Sequence, residues 1–247
     1  MKFAKKIAAM LMAGTMLVSL SGCGTIVSEV ADAVVEKAMG TATITLVQGN
    51  MDAVYKGIFS EEYLELLEGQ TKEDLEQIYQ ESMESEAEFL AYYFAMYEPE
   101  YGESYEDLSE DIRADILELC KEIFAQTKYE VLESTELSEG SYSVKVSIEP
   151  SYIIEQAEEM YDRYDALEEF GEKYKFANAD DMTEEEYALY MEEYAEIIVQ
   201  MINELLPEMK YQDAKTQLIQ LEKNEDGLLE INEDDWTRVN ETLVYYP

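Results

Sequence analysis

Fifty-seven acidic residues stand against seventeen basic ones in this chain of 247, a formal charge of −40. That imbalance constrains the fold more than any other feature. With so few lysines and arginines to pair with, runs such as Glu184-Glu185-Glu186, Glu192-Glu193 and Asp180-Asp181 read as solvated helix faces and caps. High charge by itself favours disorder, but 47% hydrophobic residues with 20 Tyr and 7 Phe give the chain ample apolar area to collapse. A folded domain with an acidic surface follows.

The same charge excludes partners. Nucleic-acid binding draws on Lys and Arg to neutralise phosphates, and no basic stripe is present, so no nucleic-acid partner is expected. The absence of histidine removes Ser-His-Asp and Cys-His catalysis, histidine acid/base work and the common zinc sites. Cys120 lies among Ile112, Ile116, Leu119 and Ile123 at helical spacing, which reads as a buried structural cysteine. Gly-rich phosphate loops and CxxC pairs are missing, and neither a cofactor nor a metal is expected.

The chain opens with Lys2, Lys5 and Lys6, continues through an uncharged apolar run from Ile7 to Leu20, and reaches Leu20-Ser21-Gly22-Cys23. This pattern reads as a signal peptide over residues 1–22. Its apolar run is short for a bilayer, which takes about 20 apolar residues to span. Leu-Ser-Gly-Cys resembles the lipobox of bacterial lipoproteins, in which the cysteine thiol receives diacylglycerol. Lipidation of Cys23 would hold the protein at the extracytoplasmic face of the cell membrane, since two acyl chains make a stable anchor. Removing residues 1–22 removes three lysines and no acids, and leaves a charge of −43. Anionic headgroups would repel such a surface, so contact with the membrane is expected through the lipid.

Beyond the anchor, the apolar periodicity predicts a short helix through Ile26, Val30, Val34 and Ala38 that ends at Gly40. A second helical face runs from Ile44 to Ile58, with Gly49-Asn50 as a bend. Residues 60–67 read as a short helix capped by Ser60. Thr71 caps a long helix through Phe94 to the neighbourhood of Pro99, and Ser109 caps another to about Phe124. The period then changes to two. Tyr142 to Ile148 alternates strictly, and Lys128 to Glu133 is its hairpin partner across Ser138-Glu139-Gly140. Pro150-Ser151 starts a helix through Ile154, Ala157, Tyr161, Tyr164 and Leu167. The capping box Thr183-Glu184-Glu185-Glu186 starts another, bounded by Pro207. Strands at 215–222 and 228–231 flank the turn Asn224-Glu225-Asp226-Gly227, and a helix begins at Asn232. Helices, hairpin, helices, hairpin and helix in that order predict an α+β fold, with an antiparallel sheet of two hairpins packed by several long helices.

The lipobox, the hairpin KYEVLES…GSYSVKVSIEP (128–150) and the ending LIQLEKNEDGLLEINEDDW (218–236) together resemble an uncharacterised lipoprotein family of Gram-positive, clostridia-like bacteria. The mature part of that family is similar to the cystatin-like and NTF2-like α+β group. The resemblance implies a lipid-anchored N-terminal segment over 23–40, an acidic α+β domain over 41–247 and no catalytic residues.

Three patterns bear on chemistry. Glu222 to Glu233 places oxygen ligands near the positions of a calcium loop, but Glu replaces the usual first Asp and the flanks read as strand, so a hairpin turn is the better account. Carboxylate pairs for polysaccharide hydrolysis can be drawn from so many acids, but the mechanism needs two of them about 5–10 Å apart in a cleft. Tyr187, Tyr190 and Tyr194, with Tyr161 and Tyr164, lie at helical spacing that suits either core packing or a groove for sugars or peptides. The leading expectation is a non-enzymatic surface module binding a small ligand or a surface protein. A carboxylate-dependent hydrolase acting on extracellular polysaccharide is the alternative, and a purely structural protein is the third reading.

Overall fold

The structure, a computed structural model, describes residues 29–67, 69–97, 99, 103–138, 140–177, 181–224 and 228–247, with side chains except at 29–36 and 184. The leader, Cys23, Ile26, Asp180 and the turn residues 225–227 lie outside the described residues. The chain divides into two compact units, both discontinuous in sequence. The first comprises residues up to Ser82, Thr127–Pro150 and Asp213–Leu243; the second comprises Met83–Gln126, Ser151–Gln212 and Val244–Pro247. Among the described residues, no helix is long and apolar enough to cross a membrane.

The first unit holds α1 (Glu29–Lys56), α2 (Glu61–Leu64), the opening half of α3 (Lys72–Tyr93), strands β1 (Lys128–Ser138), β2 (Ser141–Glu149), β3 (Lys215–Lys223) and β4 (Leu229–Ile231), and α8 (Glu233–Leu243). The two expected hairpins join through β2 and β3 into one antiparallel sheet in the order β1-β2-β3-β4. Its α+β class is the one the periodicities predict. Along β2, Tyr142, Val144, Val146 and Ile148 are buried, while Ser143, Lys145 and Ser147 between them are not. Each buried Val or Ile contributes about 1.5–3 kcal/mol by leaving water. The N-terminal helix α1 packs against β1 and β2, and α8 against β3. Hydrogen bonds set the position of α1 on β1: the Tyr129 hydroxyl donates to Asp52 Oδ1 at 2.7 Å, and Thr43 and Ser134 share a bond of 2.7 Å. β1 is an edge strand whose register shifts between Val131 and Glu133 and between Glu136 and Ser138, leaving Leu132 and Leu137 as exposed extra residues. Such bulges discourage further strands from adding to an edge.

Two glycines in α1 depart from expectation. The helix runs unbroken through Gly40 and Gly49, crossing residue 40, where the sequence suggested a boundary between anchor segment and domain. A glycine inside a helix costs only about 1 kcal/mol relative to alanine, too little to end a helix held by packing. Gly49 is a point of close approach and not a bend. The ring of Tyr63, fully buried, lies where a Cβ at 49 would stand, and its hydroxyl donates to Asn50 Oδ1 at 3.2 Å.

The second unit holds the rest of α3, a 3-10 turn at Tyr105–Asp107, α4 (Glu110–Ala125), α5 (Ile153–Tyr161), α6 (Asp165–Tyr174) and α7 (Glu184–Leu205). α4, α5 and α6 all pack against α7. The expected caps form: Ser109 Oγ accepts from the Ile112 amide at 3.3 Å, and the reciprocal box at Thr183 and Glu186 closes with bonds of 3.2 and 2.9 Å. In the first unit Thr71 and Asp74 make the same exchange at the start of α3. α3 itself stops at Tyr93, short of Pro99, where Ala95 takes a φ of 52° that no helix continues. The single helix expected from Ser151 to Leu167 is two, because Tyr164 turns extended (φ −84°, ψ 114°) between α5 and α6 and buries its ring.

The two glycines of α1 should respond oppositely to substitution. In chemical denaturation, Gly49→Ala should destabilise by about 1–3 kcal/mol because Tyr63 must move. Gly40→Ala, with nothing within 4 Å of its Cβ, should stabilise by up to about 1 kcal/mol.

Candidate functional site

The five tyrosines at helical spacing all fall in the second unit. On α7, Met191, Ala195, Ile198 and Ile202 form the buried stripe. Tyr187, Tyr190 and Tyr194 run beside that stripe, half-buried, at the border between core and solvent. Core packing and exposure are therefore not alternatives for these residues, since each ring does some of both.

Phe170 of α6 organises them. Its ring, buried, lies 4.9 Å from the centroid of Tyr174, 4.9 Å from Tyr190 and 5.7 Å from Tyr194. Tyr174 meets Tyr190 edge-on at 4.8 Å, and Tyr187 stacks on Tyr190 at 6.1 Å. Tyr161, at the end of α5 and 37% exposed, extends the run through a hydroxyl–hydroxyl bond of 3.0 Å to Tyr194. The Tyr194 hydroxyl donates to the Phe94 carbonyl at 3.0 Å. The result is a continuous aromatic surface of five half-exposed or exposed tyrosines around one buried phenylalanine. Aromatic pairs in such offset and edge-on contacts add about 0.5–1.5 kcal/mol each beyond their burial.

Tyr164 is placed apart from this run. Its ring is buried and its hydroxyl donates to Glu204 Oε1 at 3.0 Å. Glu204 is ten residues beyond Tyr194, about 15 Å along the helix at 1.5 Å per residue. Phe170 and Tyr174 stand beyond Leu167, the last residue the apolar periodicity assigns to the preceding helix, and so escape the sequence analysis. Their spacing of four, which puts two rings on one helix face, was the available signal.

A lysine is already held at this surface. Lys173 Nζ lies 4.9 Å from the centroid of the Tyr174 ring and bonds both oxygens of Glu193, at 2.8 and 2.5 Å. The Tyr174 hydroxyl donates to Glu193 Oε2 at 2.8 Å. The hydrogen bond from Lys173 holds the Glu193 carboxyl below the usual carboxylate range, and the bond to Glu193 raises the Lys173 ammonium above its usual value.

Two grooves lie elsewhere. In the second unit, a groove of about 550 Å³ between α4 and α7 gathers Asp115, Glu118, Glu122, Glu196 and Glu204 over Leu119 and Val199. It brings together carboxylates of the kind a polysaccharide hydrolase uses, and all five residues are exposed. In the first unit, a groove of about 560 Å³ lies between α1 and β1, with Lys37, Thr41, Glu133, Thr135 and Tyr142 in its lining. Among the described residues, no group of three or more His, Cys, Asp or Glu could hold a metal ion. The segment that approximated a calcium loop is flanked by paired strands: Glu222 pairs with Glu230, and the Asn224 amide donates to the Leu228 carbonyl at 2.8 Å. Cys120 is a buried free thiol, and burial pushes its pKa well above the ordinary value.

Burial raises the phenol of Tyr97 to about 12, and burial with the bond to Glu204 raises that of Tyr164 to about 12. Both are near 10 in the unfolded chain. The folded state therefore holds these protons more tightly, and their contribution to stability is complete below pH 10 and is lost as pH rises toward 12. Melting temperature should fall steeply between pH 10 and 12, with tyrosinate absorbance rising together with unfolding. Tyr164→Phe should cost about 1 kcal/mol at neutral pH through the lost hydrogen bond.

No protein-family model matches the chain, and no curated protein matches it. Among solved structures, the chain is similar to the crystal structure of a candidate lipoprotein, YcdA, from Bacillus subtilis, with a TM-score of 0.52 and 15% identity. The likeness covers 89% of this chain and 60% of that one, so this chain spans about 60% of the length of the structure it matches. At that identity the likeness is one of fold.

Proposed function

We propose that the chain is a lipid-anchored protein of the extracytoplasmic membrane face, and that it works without catalysis by contacting a ligand or partner through the tyrosine surface of α6 and α7. The observation that carries the binding role is the clustering of those rings: Tyr174, Tyr190 and Tyr194 each contact Phe170, Tyr187 stacks on Tyr190, Tyr161 bonds Tyr194, and none of the five tyrosines is fully buried. Exposed apolar area that is contiguous, in contrast to single scattered residues, is the usual mark of an interaction site. Tyrosine suits the role because its ring supplies contact area at low entropy cost while its hydroxyl bonds to polar groups.

Leu20-Ser21-Gly22-Cys23, behind Lys2, Lys5 and Lys6 and an uncharged apolar run, supports the address. The fold likeness to a candidate lipoprotein supports it as well. A long helix packed against an antiparallel sheet, as α1 is on β1 and β2, supports the likeness of the mature domain to the cystatin-like and NTF2-like group.

The address is tested by growing bacteria that express the protein with a clickable fatty acid. The wild-type chain should take up label and sediment with membranes, and Cys23→Ala should do neither. Label on the Cys23→Ala variant, or an unlabelled wild-type protein, would remove the lipid anchor from the proposal.

A further inference from the structure

We infer that the turn closing α6, with Phe176 at its tip, is a second membrane contact, which enters the headgroup region of the same bilayer that holds the lipid anchor. The inference rests on the lipid-anchored address proposed above and adds a protein contact to the lipid one. Three observations carry it. First, Phe176 stands where no core takes it up. The Ala177 amide donates to the Tyr174 carbonyl at 2.8 Å, which closes a turn with Lys175 and Phe176 at its two central positions. Glycine and small polar residues are the usual occupants of such positions. Phe176 is 91% exposed, and among the described residues the next most exposed large apolar side chain, Leu189, reaches 59%. Second, the turn has a packed base. Tyr174, its first residue, lies 4.9 Å from the Phe170 centroid and meets Tyr190 edge-on at 4.8 Å. Third, the charge here departs from that of the rest of the chain. Lys173 and Lys175 are the closest pair of basic residues outside the leader, and they pair with Glu193 and Glu172. The base of the turn is therefore locally neutral in a chain whose formal charge is −40.

This combination suits a bilayer surface. A phenyl ring gains by leaving water for the interface, while lysines beside it lay their stems along apolar surface and keep their ammonium groups among the phosphates. Lys175 already holds its ammonium 5.4 Å from the Phe176 centroid. Exposed ion pairs are weak, so the lysines exchange a carboxylate for a phosphate at little cost. Anionic headgroups hold off the acidic surface elsewhere, and at physiological ionic strength salt confines the repulsion from distant acids to about 8 Å. The anchor keeps the bilayer at high effective concentration, so a contact of one ring is enough to be populated. A soluble partner would need far more buried area than this turn offers.

The test uses the lipidated full protein in vesicles of phosphatidylcholine and phosphatidylglycerol whose acyl chains carry bromine, a contact quencher of tryptophan fluorescence. Wild-type protein gives the baseline, because its one tryptophan, Trp236, is buried. The emission added by Phe176→Trp should shift to the blue and be quenched. The emission added by Leu218→Trp, at a position 55% exposed on β3, should do neither. Trypsin should cut after Lys175 more slowly in vesicle-bound wild-type protein than in vesicle-bound Phe176→Ser, which checks that the native ring makes the contact. Unquenched Phe176→Trp emission from protein that floats with the vesicles would overturn the inference and leave the address standing. Equal quenching of Phe176→Trp and Leu218→Trp would show only general proximity to the bilayer, and equal cutting of wild type and Phe176→Ser would show that the native ring is not inserted; either result overturns the inference. Protein that does not float would overturn the address and the inference together.

Discussion

Hydrogen bonds from tyrosine hydroxyls to carboxylates tie together parts of this chain that lie far apart in sequence. Tyr129 donates to Asp52 across 77 residues of sequence, Tyr93 to Glu158 across 65, Tyr164 to Glu204 across 40 and Tyr174 to Glu193 across 19. By contrast, the ion pairs Lys72–Glu76, Lys175–Glu172 and Arg238–Asp235 join residues three or four apart, Lys145–Glu133 joins the two strands of one hairpin, and Lys173–Glu193 only repeats the link that Tyr174 makes. Exposed pairs such as Lys72–Glu76 and Lys175–Glu172 contribute little, about 0–1 kcal/mol. The reason lies in the charge balance. A chain with 57 acids and 17 bases has few cations to spend on long-range contacts. A phenol supplies a neutral donor whose ring can be buried at the same time, while its acceptor keeps its charge near water.

This division of labour explains why the tyrosine surface proposed for binding and the packing of the second unit share residues. Phe170 is buried and gathers Tyr174, Tyr190 and Tyr194, whose outer parts remain in contact with solvent. Packing against neighbouring rings restricts the rotamers these side chains can adopt. Preorganised aromatic side chains lose little entropy when a ligand arrives. The acidic groove between α4 and α7 has a different character, with its carboxylates on solvated helix faces.

Much of the local structure was legible. The alternation along Tyr142–Ile148, the capping residues Ser60, Thr71, Ser109 and Thr183, and the strands flanking 224–228 all appear where the spacing places them. The misreadings share a cause. Gly40 and Gly49 carry a local preference against helix, but the burial of Leu46, Val47, Met51 and Val54 along α1 outweighs it. The break before Asp165 reverses a local helical pattern because Tyr164 gains a buried ring and Glu204 as acceptor. In both cases a tertiary contact overrides a propensity of about 1 kcal/mol.

What the sequence by itself determined was whatever depends on neighbours within a few residues: element type from hydrophobic period, helix starts from capping side chains, and the linear motif ending at Cys23. One antiparallel sheet of two hairpins was also legible from the order of elements; tertiary structure alone decided the register in which β2 pairs with β3 across the intervening helices. It also chose, from many tyrosines and more carboxylates, which hydroxyl meets which acid, and set Phe170 at the centre of a surface that leaves Tyr164 out. Those outcomes depend on residues tens of positions apart whose energies are similar for many alternative partners, and only simultaneous packing of the whole unit selects among them.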